Sequence, residues 1–189
     1  MPVLYESEER LFGQKNWYIL EAVLLEYIRG RRWFRGKARN AWAAEIEDII
    51  PISYGSSTTY FVIVQVEFTT GEPEIYTVPL SVATEDLPEI TEAYPRCIVA
   101  RLKPRGKNES IIYDAMVDDE FCRFLLPATA RRRHFKGQRG EIAALPTNIL
   151  RALRGKGDVN LEPVPLKAEQ SNTSVVYGDR LILKLYRRV

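Results

Sequence analysis

The sequence has 189 residues, 46% of them apolar and 28% charged, with a net charge of +2. That balance belongs to a globular protein of one ordinary domain or two small ones, and the charge is too small to imply a nucleic-acid or membrane surface by itself. No apolar run approaches the roughly 18 residues of a spanning helix, and the opening MPVLYESEERLFGQKN has early acids and no apolar centre, unlike a signal peptide. These features read as a cytoplasmic protein that does not engage a membrane. Cys97 and Cys122 are the two cysteines. They lack metal-ligand spacing and read as reduced, inert thiols, although a disulfide between them stays open.

Asn16 to Tyr27 (NWYILEAVLLEY) has the spacing of a helix. Ile19, Val23, Leu24 and Tyr27 recur at three and four residues, Asn16 is a candidate cap, and Gly30 can end it. The next word, RRWFRGKAR from Arg31 to Arg39, packs five basic residues around Trp33 and Phe34. Three strand-like stretches follow. Trp42 to Ile52 alternates imperfectly, Thr58 to Phe68 is rich in β-branched and aromatic residues, and Glu74 to Leu80 follows a turn at Gly71. Both connections are short and carry glycine, which favours an antiparallel meander. One helix on such a sheet predicts an α+β unit over residues 1–95.

Asp86 to Pro95 is punctuated by two prolines and reads as a boundary. Beyond it, over 96–189, the pattern partly repeats. Cys97 to Leu102 and Ser110 to Tyr113 look like a hairpin opening a second antiparallel sheet. Asp118 to Arg131 looks helical, with Asp118 as cap and Pro127 as a weak point. Short apolar segments follow around Ile142 to Leu145 and Ile149 to Leu153, then a loop from Gly155 to Pro165. Val175 to Tyr186 reads as a final hairpin turning at Gly178-Asp179.

Catalytic motifs are sparse. The single histidine, His134, lies in RRRHFKGQR without a serine or cysteine in a nucleophile context, so no triad can be argued. No HExxH, paired CxxC, calcium loop or phosphate-binding GxxxxGK is present, and no metal site is expected. Asp118-Asp119 fits a helix start, and Glu45 and Glu47 fit the wet face of a strand. The two basic words have two readings. They can bind nucleic acid through phosphates and stacking. Equally, RRRHFKGQR is a solvated loop, and Trp33 and Phe34 are core anchors with arginines reaching past them.

The final hairpin says more. With a regular pleat, Leu181, Leu183 and Leu185 share one face, and Ile182, Lys184 and Tyr186 share the other. A lysine flanked by apolar residues calls for an anionic partner if buried. A nucleotide phosphate or a glutamate would serve, as both do for the strand lysine of protein kinases. The other reading is an ordinary edge hairpin with Lys184 in water. Ser171, Asn172, Thr173 and Ser174 lie just ahead, with hydroxyls and amides where a phosphate-covering loop would sit, but without that loop's usual glycines.

EQSNTSVVYGDRLILKLYRR, from Glu169 to Arg188, closely resembles a stretch of the bacterial maltokinases, which also occur fused behind trehalose synthase domains. RRWFRGKAR resembles an element near the start of that family, and the two bracket most of the chain. The resemblance implies a cystatin-like cap of sheet and helix over 1–95, followed by the start of a kinase-like N-lobe. It implies a parent enzyme that uses ATP and Mg²⁺ to convert maltose to maltose 1-phosphate, in trehalose and glycogen metabolism. By position, Lys184 would contact nucleotide phosphates and Ser171 to Ser174 would cover them. The family's catalytic aspartate and magnesium ligands belong to a C-lobe that nothing here matches. The chain is therefore expected to carry no catalytic residue, to be inactive alone and to bind no cofactor by itself. Its expected partners are its own C-lobe and trehalose synthase. A free-standing module that binds protein or nucleic acid is the alternative.

Overall fold

The computed structural model describes residues 1–85, 87–148, 150, 161–166 and 172–189. Strand β1 (Val3–Leu4) and the short helix α1 (Glu8–Leu11) lead through a tight turn at Gln14–Asn16 into helix α2 (Trp17–Arg29). Trp17, Leu20, Val23, Leu24, Tyr27 and Ile28 form its buried stripe, the three-and-four spacing of an amphipathic helix. Asn16 does not cap it. Its side-chain amide donates instead to the Arg10 carbonyl at 2.8 Å, because the chain folds back against the end of α1.

The meander follows as β2 (Ala41–Tyr54), β3 (Ser57–Phe68) and β4 (Glu74–Ala83). Gly55 at φ 54° and Gly71 at φ 85° occupy left-handed turn positions. The imperfect alternation of β2 has a physical cause, since its register against β3 shifts between Ala41 and Ala43 and again between Ile46 and Asp48. Each shift is a bulge that reverses which face later residues take. Hence Ile46 and Ile49 face one core, whereas Ile50 and Ile52 face another.

Helix α3 (Leu87–Ala93) precedes β5 (Ile98–Leu102) and β6 (Ser110–Asp114). These two strands do not open a second sheet. They join the first, whose order is β1-β5-β6-β4-β3-β2, with β6 pairing along the end of β4. The division expected at residue 95 thus falls inside one continuous hydrogen-bonded sheet. The expected second sheet starts later. After helix α4 (Asp119–Ala130) and the small hairpin β7 (His134–Lys136) and β8 (Glu141–Ala143), strands β9 (Pro163–Pro165), β10 (Asn172–Tyr177) and β11 (Leu181–Tyr186) form a sheet in the order β11-β10-β9.

The architecture is α+β, with the large sheet covered on both sides. Even-numbered Val62, Val64 and Val66 of β3 meet α2 residues in the first core. Odd-numbered Phe61 and Ile63 pack against the second, which holds Phe121 and Cys122 of α4, Phe135, Val175 and Tyr177. Asp118 caps α4 as predicted, accepting from the amides of Glu120 and Phe121, and the helix continues through Pro127 to Ala130. Cys97 and Cys122 are not joined to each other by a disulfide. No described helix is long and apolar enough to cross a membrane. The expected segment Ile149 to Leu153 lies, apart from Leu150, outside the described residues, as does 155–160 of the expected loop.

Candidate functional site

The terminal hairpin forms as its sequence predicts, with Gly178 at φ 57° in the turn and Ser174 directly opposite Lys184. Leu181, Leu183 and Leu185 are half-buried against the second core. Ile182 and Tyr186 are each 60% exposed, and Lys184 lies between them on the outer face. Lys184 has no ion-pair partner among the described residues. Strand β11 pairs with β10 on one side and has no described strand along Leu181–Leu185 on the other. The lysine therefore stands on an exposed face beside a sheet edge that no described strand covers.

The residues expected to cover a phosphate are placed differently. Asn172, Thr173 and Ser174 belong to strand β10 rather than to a loop. Thr173 is committed inward, its hydroxyl accepting from Arg187 Nε at 2.8 Å. Asn172 and Ser174 share the face of Lys184 by register. Ser171 lies outside the described residues.

Sequence reasoning missed the residue that joins this hairpin to the rest of the molecule. Arg187, the residue after β11, is 2% exposed and reaches Asp114 Oδ2 at 2.7 Å. The Tyr27 hydroxyl donates to the same oxygen at 3.1 Å, and Asp114 Oδ1 accepts from the Met116 amide. Burial and the neighbouring Asp114 charge push Tyr27 well above the usual tyrosine range, so it stays a neutral donor. The guanidinium also sits 5.1 Å above the ring of Trp33.

Backbone pairing reinforces the contact. The Thr77 amide donates to the Arg187 carbonyl at 2.8 Å, the Thr77 hydroxyl to the Tyr186 carbonyl at 2.9 Å, and the Val189 amide to the Ile75 carbonyl at 3.1 Å. The end of the chain thus fills the side of β4 that β6 leaves unpaired. Next to it, Glu74 receives Arg188 at 2.8 Å and Arg39 at 2.6 Å, and it accepts from the Tyr76 hydroxyl.

The two words that bracket the sequence therefore meet in space. Trp33 and Phe34 are buried, as the core-anchor reading requires, in a run of rings Tyr27–Trp33–Tyr76–Phe34–Phe68 with successive centroids 5.5 to 6.5 Å apart. Arginines lie over it, with Arg31 on Tyr27, Arg187 on Trp33 and Arg39 on Phe68. Above the Arg187–Asp114 pair a cleft of about 280 Å³ opens between Tyr94–Cys97 and Pro165–Leu166.

The segment from Tyr27, through the aromatic run and the six-stranded sheet, to the cap of α4 matches a known family over residues 27–118. That family is the maltokinase N-terminal cap domain. The matched residues include Trp33, Glu74 and Asp114, the groups that hold Arg187 and Arg188 just after the terminal strand. The other basic word, Arg131–Arg139, packs beside the cap as β7 and the start of the following turn. Arg139 pairs with Glu47, His134 lies 3.5 Å from Glu141, and the Gln138, Arg139 and Gly140 amides all donate to the buried Asp48 carboxylate of β2.

Proposed function

We propose that these residues form the cap and the first strands of the nucleotide-binding lobe of an ATP-dependent maltose kinase. The observation that carries the reading is Lys184, held without an acidic partner among the described residues on an open sheet face behind a maltokinase cap. An ammonium flanked by Ile182 and Tyr186, with the Ser174 hydroxyl across the strand pair, suits one wall of a polyphosphate site. ATP with Mg²⁺ would supply the phosphoryl group that passes to the anomeric hydroxyl of maltose. Lys184 would hold phosphate oxygens, and Ile182 and Tyr186 would exclude water beside it.

Phosphoryl transfer also needs metal ligands and a group that positions the acceptor. The described residues contain no cluster of His, Cys, Asp and Glu able to hold a metal. The proposed parent supplies these groups from a C-lobe, the first partner in this reading, and trehalose synthase is the second. The proposed setting is cytoplasmic trehalose and glycogen metabolism.

The test is to express the whole reading frame that contains these residues and assay maltose 1-phosphate formation with ATP and Mg²⁺. Lys184→Met should lower turnover by about 100-fold. Absence of maltose phosphorylation in the unmodified protein overturns the sugar-kinase reading, and full turnover in Lys184→Met overturns the role of the lysine. ATP·Mg²⁺ titrated into the 189-residue chain should bind weakly or not at all. Salt-dependent RNA binding by that chain would favour the binding-module reading instead.

A further inference from the structure

The sequence Leu181–Tyr186 (LILKLY) is apolar at every position except Lys184. Hydropathy alone therefore discriminates poorly between the two faces of β11, and a one-residue slip would turn Lys184 inward. Two contacts fix the side it takes. At the turn end, Val175 and Tyr177 of β10 are fully buried, and the Tyr177 hydroxyl donates to the Cys122 carbonyl at 2.7 Å. At the open end, Asn172, Thr173 and Ser174 are polar and only half-buried, so no apolar anchor exists on β10. There the inward contact is Arg187, on the leucine side of the strand, bonded to Asp114 and Thr173 and backed by Trp33.

We propose that Arg187, held by Asp114 of the cap, is the positioning residue that fixes Lys184 on the outward, nucleotide-facing side of β11. The proposal rests on the reading of Lys184 as a phosphate contact. It assigns the cap a task, namely setting the pose of a strand that belongs to the neighbouring sheet. Arg187 lies three positions after Lys184, an odd offset, so burying one presents the other. A buried ion pair suits this role, because its geometry rejects alternative registers that a greasy contact would tolerate.

Hydrogen exchange of the 189-residue chain tests the structural half without nucleotide. Arg187→Met should speed exchange of the β10 and β11 amides at least tenfold, while Val62–Val66 of β3 change less than twofold. Arg187→Lys should restore part of the protection. If Arg187→Met does not fold, Asp114→Asn should give the same selective change. Unchanged exchange in β11, or an equal loss in β3, overturns the proposal. In the full-length kinase, Arg187→Lys should raise the KM for ATP at least fivefold and leave the KM for maltose within twofold. An unmoved KM for ATP, where Lys184→Met lowers turnover as expected, overturns the positioning role and leaves the kinase reading intact. A silent Lys184→Met removes the premise and overturns both.

Discussion

Arg187 and Asp114 form an ion pair of 2.7 Å with side chains 2% and 4% exposed. The pair joins the end of the chain to β6 of the cap. Neither charge has water to fall back on, and Tyr27, Thr173 and the Met116 amide satisfy much of the remaining hydrogen-bonding capacity. Removing either partner strands the other.

Asp114→Ala should therefore cost about 3–5 kcal/mol in urea denaturation. The double change Asp114→Leu with Arg187→Met should recover most of that loss, because no uncompensated charge remains. A double variant as unstable as the single would show that the surrounding polar groups, rather than the charge pair, dominate.

Gly36 permits the aromatic run to close. A Cβ there would stand 2.5 Å from Phe34 Cζ and 2.6 Å from Phe68 Cζ, closer than any real contact. Gly36→Ala should destabilise the chain by about 1–3 kcal/mol through overpacking. The near-ultraviolet circular dichroism of the Trp33 and Phe34 cluster should change with it. A stable variant with an unaltered spectrum would mean that the rings shift freely.

Asp48 holds the turn after β7 through three backbone amides. Asp48→Ala would leave those donors unmatched and should cost about 2–3 kcal/mol. Gly137→Ala should fail similarly, since its Cβ would lie 2.7 Å from Asp48 Cγ. Equilibrium unfolding of the two variants checks this, and wild-type midpoints for both would sink it.

Stability should fall at high pH. Burial raises the Cys122 thiol from 9.0 to about 12 and the Tyr54 phenol from 10.0 to about 12. Unfolding frees both to ionise at their ordinary values, so the unfolded state binds fewer protons above pH 9. Their contribution is complete below pH 9 and is lost progressively towards pH 12. The urea midpoint should be lower at pH 10.5 than at pH 8, and Cys122→Ala should flatten part of the slope. Thiol reagents at pH 8 should modify Cys97 well before Cys122.

Lys184→Glu should change the stability of the 189-residue chain by less than about 0.5 kcal/mol, because its side chain lies on the open face. Set against lost turnover in the full kinase, that neutrality would mark the lysine as kept for chemistry. A large stability change would instead make it a structural residue.

Much of this fold was legible locally. The three-and-four spacing of α2, the glycine turns of the meander, the Asp118 cap and the terminal hairpin all rest on neighbours within a few residues. What failed was non-local. Asn16 looked like a cap until α1 offered its amide another acceptor. Cys97–Leu102 and Ser110–Tyr113 do pair as a hairpin, but they extend the first sheet instead of opening a second, because sheet order depends on strands far apart in the chain. Within the site, alternation put Lys184 opposite the three leucines without deciding which face is buried, and Arg187 did not stand out. A consecutive Arg187-Arg188 pair reads as wet surface, and nothing nearby in sequence announces Asp114. The signal that was available was the double-sided greasiness of LILKLY, which requires some outside contact to choose a face.

The burial of both faces of β2 has a practical meaning for anyone dissecting the molecule. Because Ile49 and Ile50 serve opposite cores, a cap trimmed at residue 118 would bare Ile50, Ile52, Phe61 and Ile63 together. Such a truncated piece should clump in solution, and binding experiments with it would report stickiness before they reported biology.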